Sequence, residues 1–285
     1  MRIFWLPVHV CIVIIVISGG CGGNRPLKEP TLIDEATRYA GSFEKNMRLG
    51  RYQLALSDAR RALLVNRILD RDDPVAVSLN NLGAVQERLQ MTGEATASYN
   101  EAIEVSRKIG AGRTLAVSLN NMAGMLVEAD PVKAEFLAHE AFEIGRDNAW
   151  KGIMARAVHV RARVALEKGD VVECAAYCEE ALAYASDARD MGIRAACLIT
   201  LSRAKALEGD QDAALRLARE ALAIDRDQAD PYAIAMDYSR LAEIQEMSGD
   251  INAAQLSRDK ALEILDILGV TGDRIMVNDD KAGGM

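Results

Sequence analysis

From Ile33 to Gly269 the apolar residues recur at steps of three and four, the spacing that lays one stripe along an α-helix, and no strands are predicted. Alanine marks the pattern most plainly. Ala62, Ala102, Ala141, Ala181, Ala221 and Ala261 stand 40, 39, 40, 40 and 40 residues apart, each in a similar local phrase such as Glu180-Ala181-Leu182 or Glu220-Ala221-Leu222. A fixed period of this size predicts a stack of repeats in which each unit buries its apolar face only against its neighbours. About six units are expected, in one unbroken elongated array.

Each unit divides into two predicted helices. Gly50-Arg51, Gly169-Asp170, Gly209-Asp210 and Gly249-Asp250 all fall twelve residues before the recurring alanine. Glycine takes the left-handed conformation that ends one helix, and aspartate then caps the free N–H groups of the next. Asp130-Pro131 serves the third unit by another route, with Asp as cap and Pro in the first turn. That turn also holds the missing residue: Ala-Val-Ser-Leu-Asn-Asn at 76–81 recurs at 116–121, forty on, whereas the alanines downstream are 39 apart. Inside a helix such a deletion would rotate every later side chain by about 100°; in a turn it is harmless. Asp73-Pro74 and Asp230-Pro231 read as openings of first helices.

Small residues recur in register with these marks. Gly83, Ala123, Ala162, Ser202 and Ala242 lie midway along the first helices, and Ala55, Ala95, Ala134, Cys174, Ala214 and Ala254 lie early in the second. With the turn residues and the six marker alanines, this pattern resembles the tetratricopeptide repeat family over roughly residues 34–269. The period is 40 rather than the commoner 34, as in kinesin light chains, whose repeats carry a phrase like Leu79-Asn80-Asn81-Leu82. The resemblance implies an all-α, right-handed α-solenoid of about six helix-turn-helix repeats. Phe43 stands where a small residue is expected, so the first unit is read as a cap.

The N-terminus departs from the periodicity. Arg2 precedes an apolar run from Ile3 to Ile17, then Ser18-Gly19-Gly20-Cys21. This is the anatomy of a secretory signal over residues 1–20. Fifteen residues at about 1.5 Å each fall short of a hydrocarbon core of roughly 30 Å. Cys21 after Gly19-Gly20 resembles the lipobox of bacterial lipoproteins, with Ser18 where that family usually has Leu, and implies acylation at Cys21. Gly22 in place of Asp, by analogy with enterobacterial lipoproteins, implies the periplasmic face of the outer membrane. The alternative is an uncleaved anchor in the inner membrane, since Arg25 and Lys28 leave the flanking charge ambiguous. Residues 21–33 read as a tether and residues 270–285 as a frayed tail.

Composition narrows the function. A formal charge of -8 argues against non-specific nucleic-acid binding, which needs a cationic surplus. His139-Glu140-Ala141-Phe142-Glu143 lacks the second histidine of a zinc-protease helix, and its Ala141 belongs to the repeat register. Cys174, Cys178 and Cys197 lack metal-type spacing and read as small buried residues. No catalytic set, metal or cofactor is expected; an accessory enzyme would need a site assembled from the array.

A binding role is the expectation. In the family the resemblance names, first helices line a concave groove that holds an extended peptide or a partner helix. Its register nominates Asn80, Asn81, Asn120 and Asn121, then Arg156, His159 and Arg163, then Thr200 and Arg203, then Ser239, Arg240 and Glu243. Asparagine can donate to and accept from a peptide backbone, and arginine can grip a carboxylate in a forked pair, so an acidic or C-terminal segment is the expected partner. The alternative is that these asparagines serve neighbouring helices and the arginines are merely solvated. The chain so read is a scaffold or adaptor of the cell envelope, similar in kind to pilotins, outer-membrane insertion lipoproteins and regulators of peptidoglycan enzymes.

Overall fold

The computed structural model describes residues 31–270, and these form twelve α-helices. In order they are α1 (Leu32–Arg48), α2 (Tyr52–Ile68), α3 (Asp72–Arg88), α4 (Thr92–Ile109), α5 (Gly112–Leu126) and α6 (Pro131–Asp147), then α7 (Lys151–Glu167), α8 (Val171–Ala188), α9 (Met191–Leu207), α10 (Gln211–Asp227), α11 (Pro231–Met247) and α12 (Ile251–Ile267). Each packs chiefly on the helix before and after it, giving six antiparallel pairs. Among the described residues no helix is long and apolar enough to cross a membrane. The signal, Cys21 and most of the tether lie outside the described residues.

The turn chemistry is visible atom by atom. Asp130, Asp170, Asp210 and Asp250 each accept a backbone N–H three residues on, at 2.9–3.1 Å, and Asp230 accepts from both Tyr232 and Ala233. Asp190 caps α9 in the same way. Asp73 does not open α3: that helix begins at Asp72, without a side-chain cap, and Asp73-Pro74 lies inside its first turn. Val270 is not frayed. It is 3% exposed, and its N–H donates to the Leu265 carbonyl, closing the end of α12.

All six marker alanines are buried at helix crossings. The small residue in mid-helix earns its place at Gly83: a Cβ there would stand 2.6 Å from Tyr99 Cε1, so the ring lies directly on the backbone. Which helices face inward follows from the longer-range packing. Odd helices touch the next odd helix (α3 with α5, α5 with α7, α7 with α9, α9 with α11), as helices on the shorter, inner arc must. The first helices therefore line the concave side.

The array does not run on in a line. Its two ends meet. Tyr52 at the start of α2 packs edge-on against Tyr232 of α11, with ring centroids 6.2 Å apart, and the Arg88 guanidinium of α3 lies 4.2 Å above the Tyr232 ring. Gly50, with φ +66°, comes so close to α12 that an added Cβ would stand 2.3 Å from Leu268 Cδ2 and 3.2 Å from Pro231 Cγ. Phe43, Tyr52, Leu56, Ala235, Leu265, Leu268 and Val270 share one apolar cluster. The first repeat is thus no polar cap. Its bulky aromatics are the half of an interface that the last repeat completes.

Candidate functional site

The sequence-nominated residues fall on the inner helices but do not share one fate. Asn80 of α3 accepts from Ser118 Oγ (3.2 Å) and from Asn121 Nδ2 (3.0 Å), linking the second and third repeats. Asn120 is 4% exposed and donates to the Ile153 carbonyl of α7 at 3.0 Å, while its Oδ1 has no partner among the described residues. Asn81 is half-buried beside them.

His159 and Thr200 lie between α7 and α9 rather than on the open wall, with His159 Nε2 and Thr200 Oγ1 3.0 Å apart. Thr200 donates onward to the Ala196 carbonyl. Burial, aided by Arg163 and Arg156, pushes the His159 imidazole down to about 3, so the ring is neutral at physiological pH. Arg156, exposed on the same helix, reaches Asp190 at 3.2 Å. Above it lies a pocket of about 430 Å³ where α5, α7 and the start of α9 converge, lined by Arg113, Asn120, Asn121, Trp150, Arg156 and Asp190. The Arg113 guanidinium stands 5.6 Å from the Trp150 ring.

Further along the wall are the arginines of the last repeats. Arg203 meets Glu167 at 3.5 Å, and Arg240 meets Glu243 at 2.6 Å on its own helix. Ser239 turns its hydroxyl back to the Ala235 carbonyl. Arg163 is different. Among the described residues it has neither an ion-pair nor a hydrogen-bond partner, and its Nη1 approaches Gly124 of α5. Burial lowers its basicity, and Arg240 and Arg203 add to that against the pull of Glu128 and Glu87. Arg163 and these four side chains come from α7, the turn after α5, α11, α3 and α9, so opposite walls act on one point. Glu87 is open to solvent yet walled by protein, and that enclosure raises its carboxyl while Arg88, Tyr99 and Arg163 oppose the rise.

Arg113, Trp150, Asp190, Glu87 and Glu128 were not nominated from the sequence. Glu87 stands four residues, about one helical turn, beyond Gly83, so register could have found it. Arg113 and Trp150 lie at turns, where repeat register carries no directional information. Cys174, Cys178 and Cys197 are buried free thiols, and among the described residues no group of histidine, cysteine and carboxylate side chains could hold a metal ion.

The fold and this inner wall define a tetratricopeptide-type α-solenoid. A family model described as "Tetratricopeptide repeat" matches residues 46–108. No curated protein matches the chain. Among solved structures, it is similar to the crystal structure of a Rap protein complexed with competence and sporulation factor, at 15% identity over 84% of this chain and 77% of that one, with a TM-score of 0.67. Apo RapI gives a TM-score of 0.68 at 14% identity, covering 85% and 87% of the two chains. The Rap conjugation gene regulator of plasmid pLS20, in complex with the Phr* peptide, gives 0.67 at 12% identity, covering 93% and 82%. At these identities the likeness is one of fold.

Proposed function

We propose that this chain is a non-catalytic binding protein that holds an extended peptide segment of a partner along its concave wall, with an acidic group of that segment at Arg163. The observation that carries the reading is the state of Arg163: a half-buried guanidinium with no hydrogen-bond or ion-pair partner among the described residues, on which Arg203 and Arg240 bear as well as Glu87 and Glu128. A half-buried guanidinium without a partner is free to take a carboxylate in a charge-assisted, forked contact. The pocket lined by α5 and α7, with Asn120 Oδ1 without a partner among the described residues and Arg113 and Arg156 in its lining, suits the main chain of the same segment. One of the structural neighbours was solved in complex with a peptide and another with competence and sporulation factor, which supports a ligand held by this kind of fold.

On this reading the protein is exported and held by lipid at Cys21, on the periplasmic face of the outer membrane, as the apolar run and Gly19-Gly20-Cys21-Gly22 support. Acyl chains contribute about 0.8 kcal/mol per buried methylene, so more than one chain holds firmly.

Pulldown from native envelope with the full chain, followed by fluorescence anisotropy with the recovered peptide, tests the binding. Arg163→Glu is expected to weaken capture at least tenfold while helicity is kept. Undiminished capture by that variant would sink the Arg163 assignment. For the anchor, Cys21→Ala should abolish palmitate incorporation and release the protein from membranes; retained attachment would favour an uncleaved inner-membrane segment.

A further inference from the structure

The joint between the fifth and sixth repeats carries a chemistry no other joint has. Twelve residues separate the corresponding positions where a second helix passes to the next first helix. Asn66 donates to Ser78 at 3.1 Å, and by the same spacing the later joints hold Ser106 and Ser118, Gly145 and Ala157, Ala185 and Cys197. All of these are neutral. The last joint holds two acids, Asp225 of α10 and Asp237 of α11, 7% and 3% exposed. Their carboxyl groups bear directly on each other across the joint, and Asp237 Oδ2 has no hydrogen-bond partner among the described residues. Two carboxyls in such contact need a proton between them, because two buried like charges repel.

The charged groups that bear on the pair are few. Asp230, the cap of α11, adds negative charge to both, and Arg88 reaches Asp225 from α3 across the seam. The buried face of α9 brings uncharged Thr200, Ser202, Ala204 and Ala206, and that of α12 brings Ala254, Ser257, Ala261 and Leu265. Asp230 and Tyr232, five and seven residues beyond Asp225, are the same residues that meet Arg88 and Tyr52 where the ends of the array join. Any movement of α11 away from α10 therefore moves half of the seam.

We propose that the Asp225–Asp237 pair is a proton-operated latch: with one proton shared, the sixth repeat stays seated and the ends of the array stay joined, and loss of that proton parts α11 from α10 and opens the seam. The direction follows from the surroundings. Burial, the Asp225 charge and Asp230 push the Asp237 carboxyl up to about 8, while Asp225, raised by burial and Asp230 but opposed by Arg88, is pushed up to about 6. Around neutral pH the pair is one carboxylate and one acid. In the open state Asp237 regains water and an ordinary acidity, so the closed state holds one extra proton between roughly pH 6 and 8.

The test uses the full-length chain with nitroxide labels on non-cysteine handles at Leu49 and Gln228, exposed positions flanking the seam. Pulsed electron resonance distances are read from samples frozen at pH 6, 7, 8 and 9. The open-to-closed ratio should rise by about tenfold per pH unit up to about pH 8, the response to one released proton. Asp237→Asn, which keeps a donor toward Asp225 without a titrating proton, should hold the short distance throughout. Should that variant fail to fold, Asp225→Ser with Asp237→Ser copies the neutral Ser106–Ser118 joint and should behave likewise. A wild-type distribution unchanged across this range, or an equal response in a folded variant lacking the acid pair, would overturn the latch.

Discussion

Ala181 shows no exposed surface, held between α8 and the helices that cross it. Leucine there would force side chains from their rotamers, and Ala181→Leu is expected to cost about 1–3 kcal/mol in denaturant unfolding. His159 is legible from the sequence only as a polar residue on an inner helix; its partner Thr200, 41 residues on, is supplied by the fold. Because the folded imidazole is held at about 3, below the ordinary 6.5, the unfolded chain binds a proton that the folded chain does not as pH falls. This contribution to stability is complete above about pH 6.5 and is lost at lower pH. Between pH 7 and 5 the wild type should lose about 2 kcal/mol more than His159→Gln, measured by urea unfolding at the two pH values. Equal losses would mean that the ring is already charged or already solvated.

Helix boundaries repeat one device, the side-chain cap, which five of the twelve described helices lack: those opened by Arg51, Arg71, Met91, Ala111 and Trp150. Arg51 starts α2 with φ -86° and ψ 62°, close to the -84° and 73° of Asp210, yet offers no side-chain cap. Arg51→Asp should therefore add about 1 kcal/mol to stability, read as a raised denaturation midpoint at unchanged slope. The turns were readable because aspartate and glycine act within three residues of themselves. Joints were not. Asn46 with Asp58 (2.8 Å), Gln86 with Ser98 and Gln245 with Ser257 all meet at a spacing of twelve across a turn. That spacing is plain once two helices are known to lie antiparallel, and invisible to a search for steps of three and four. The same holds for the four side chains around Arg163, which come from four parts of the chain and share no local pattern.

At the scale of the whole array, joining the ends changes what a terminal repeat is. In an open solenoid the end units have one neighbour and fray first. Here α1, α2 and the end of α3 gain a second interface with α11 and α12 through Phe43, Tyr52, Arg88, Tyr232 and Leu268. Burial works to lower the basicity of Arg88, but Asp230, Tyr52, Tyr232 and Glu87 outweigh it and hold the guanidinium above its ordinary value. Arg88→Ala should speed amide exchange in α1–α2 and α11–α12 together while α5–α8 keep their protection. Loss of protection at one end alone would show that the seam transmits nothing.

The amino-acid sequence alone determined the helices, their pairing, the six-fold count, the turns and the crossing alanines, because each rests on contacts within one repeat or with the next. It also marked the inner wall as the candidate surface. Tertiary structure decided the rest: that three of the four asparagines bond to the protein, that Arg163 has no partner among the described residues, that two buried aspartates face each other, and that the ends of the array meet. The first three depend on which side chains face each other across packed helices; the last depends on curvature summed over six repeats, and a small rotation per repeat leaves no mark in any forty-residue period.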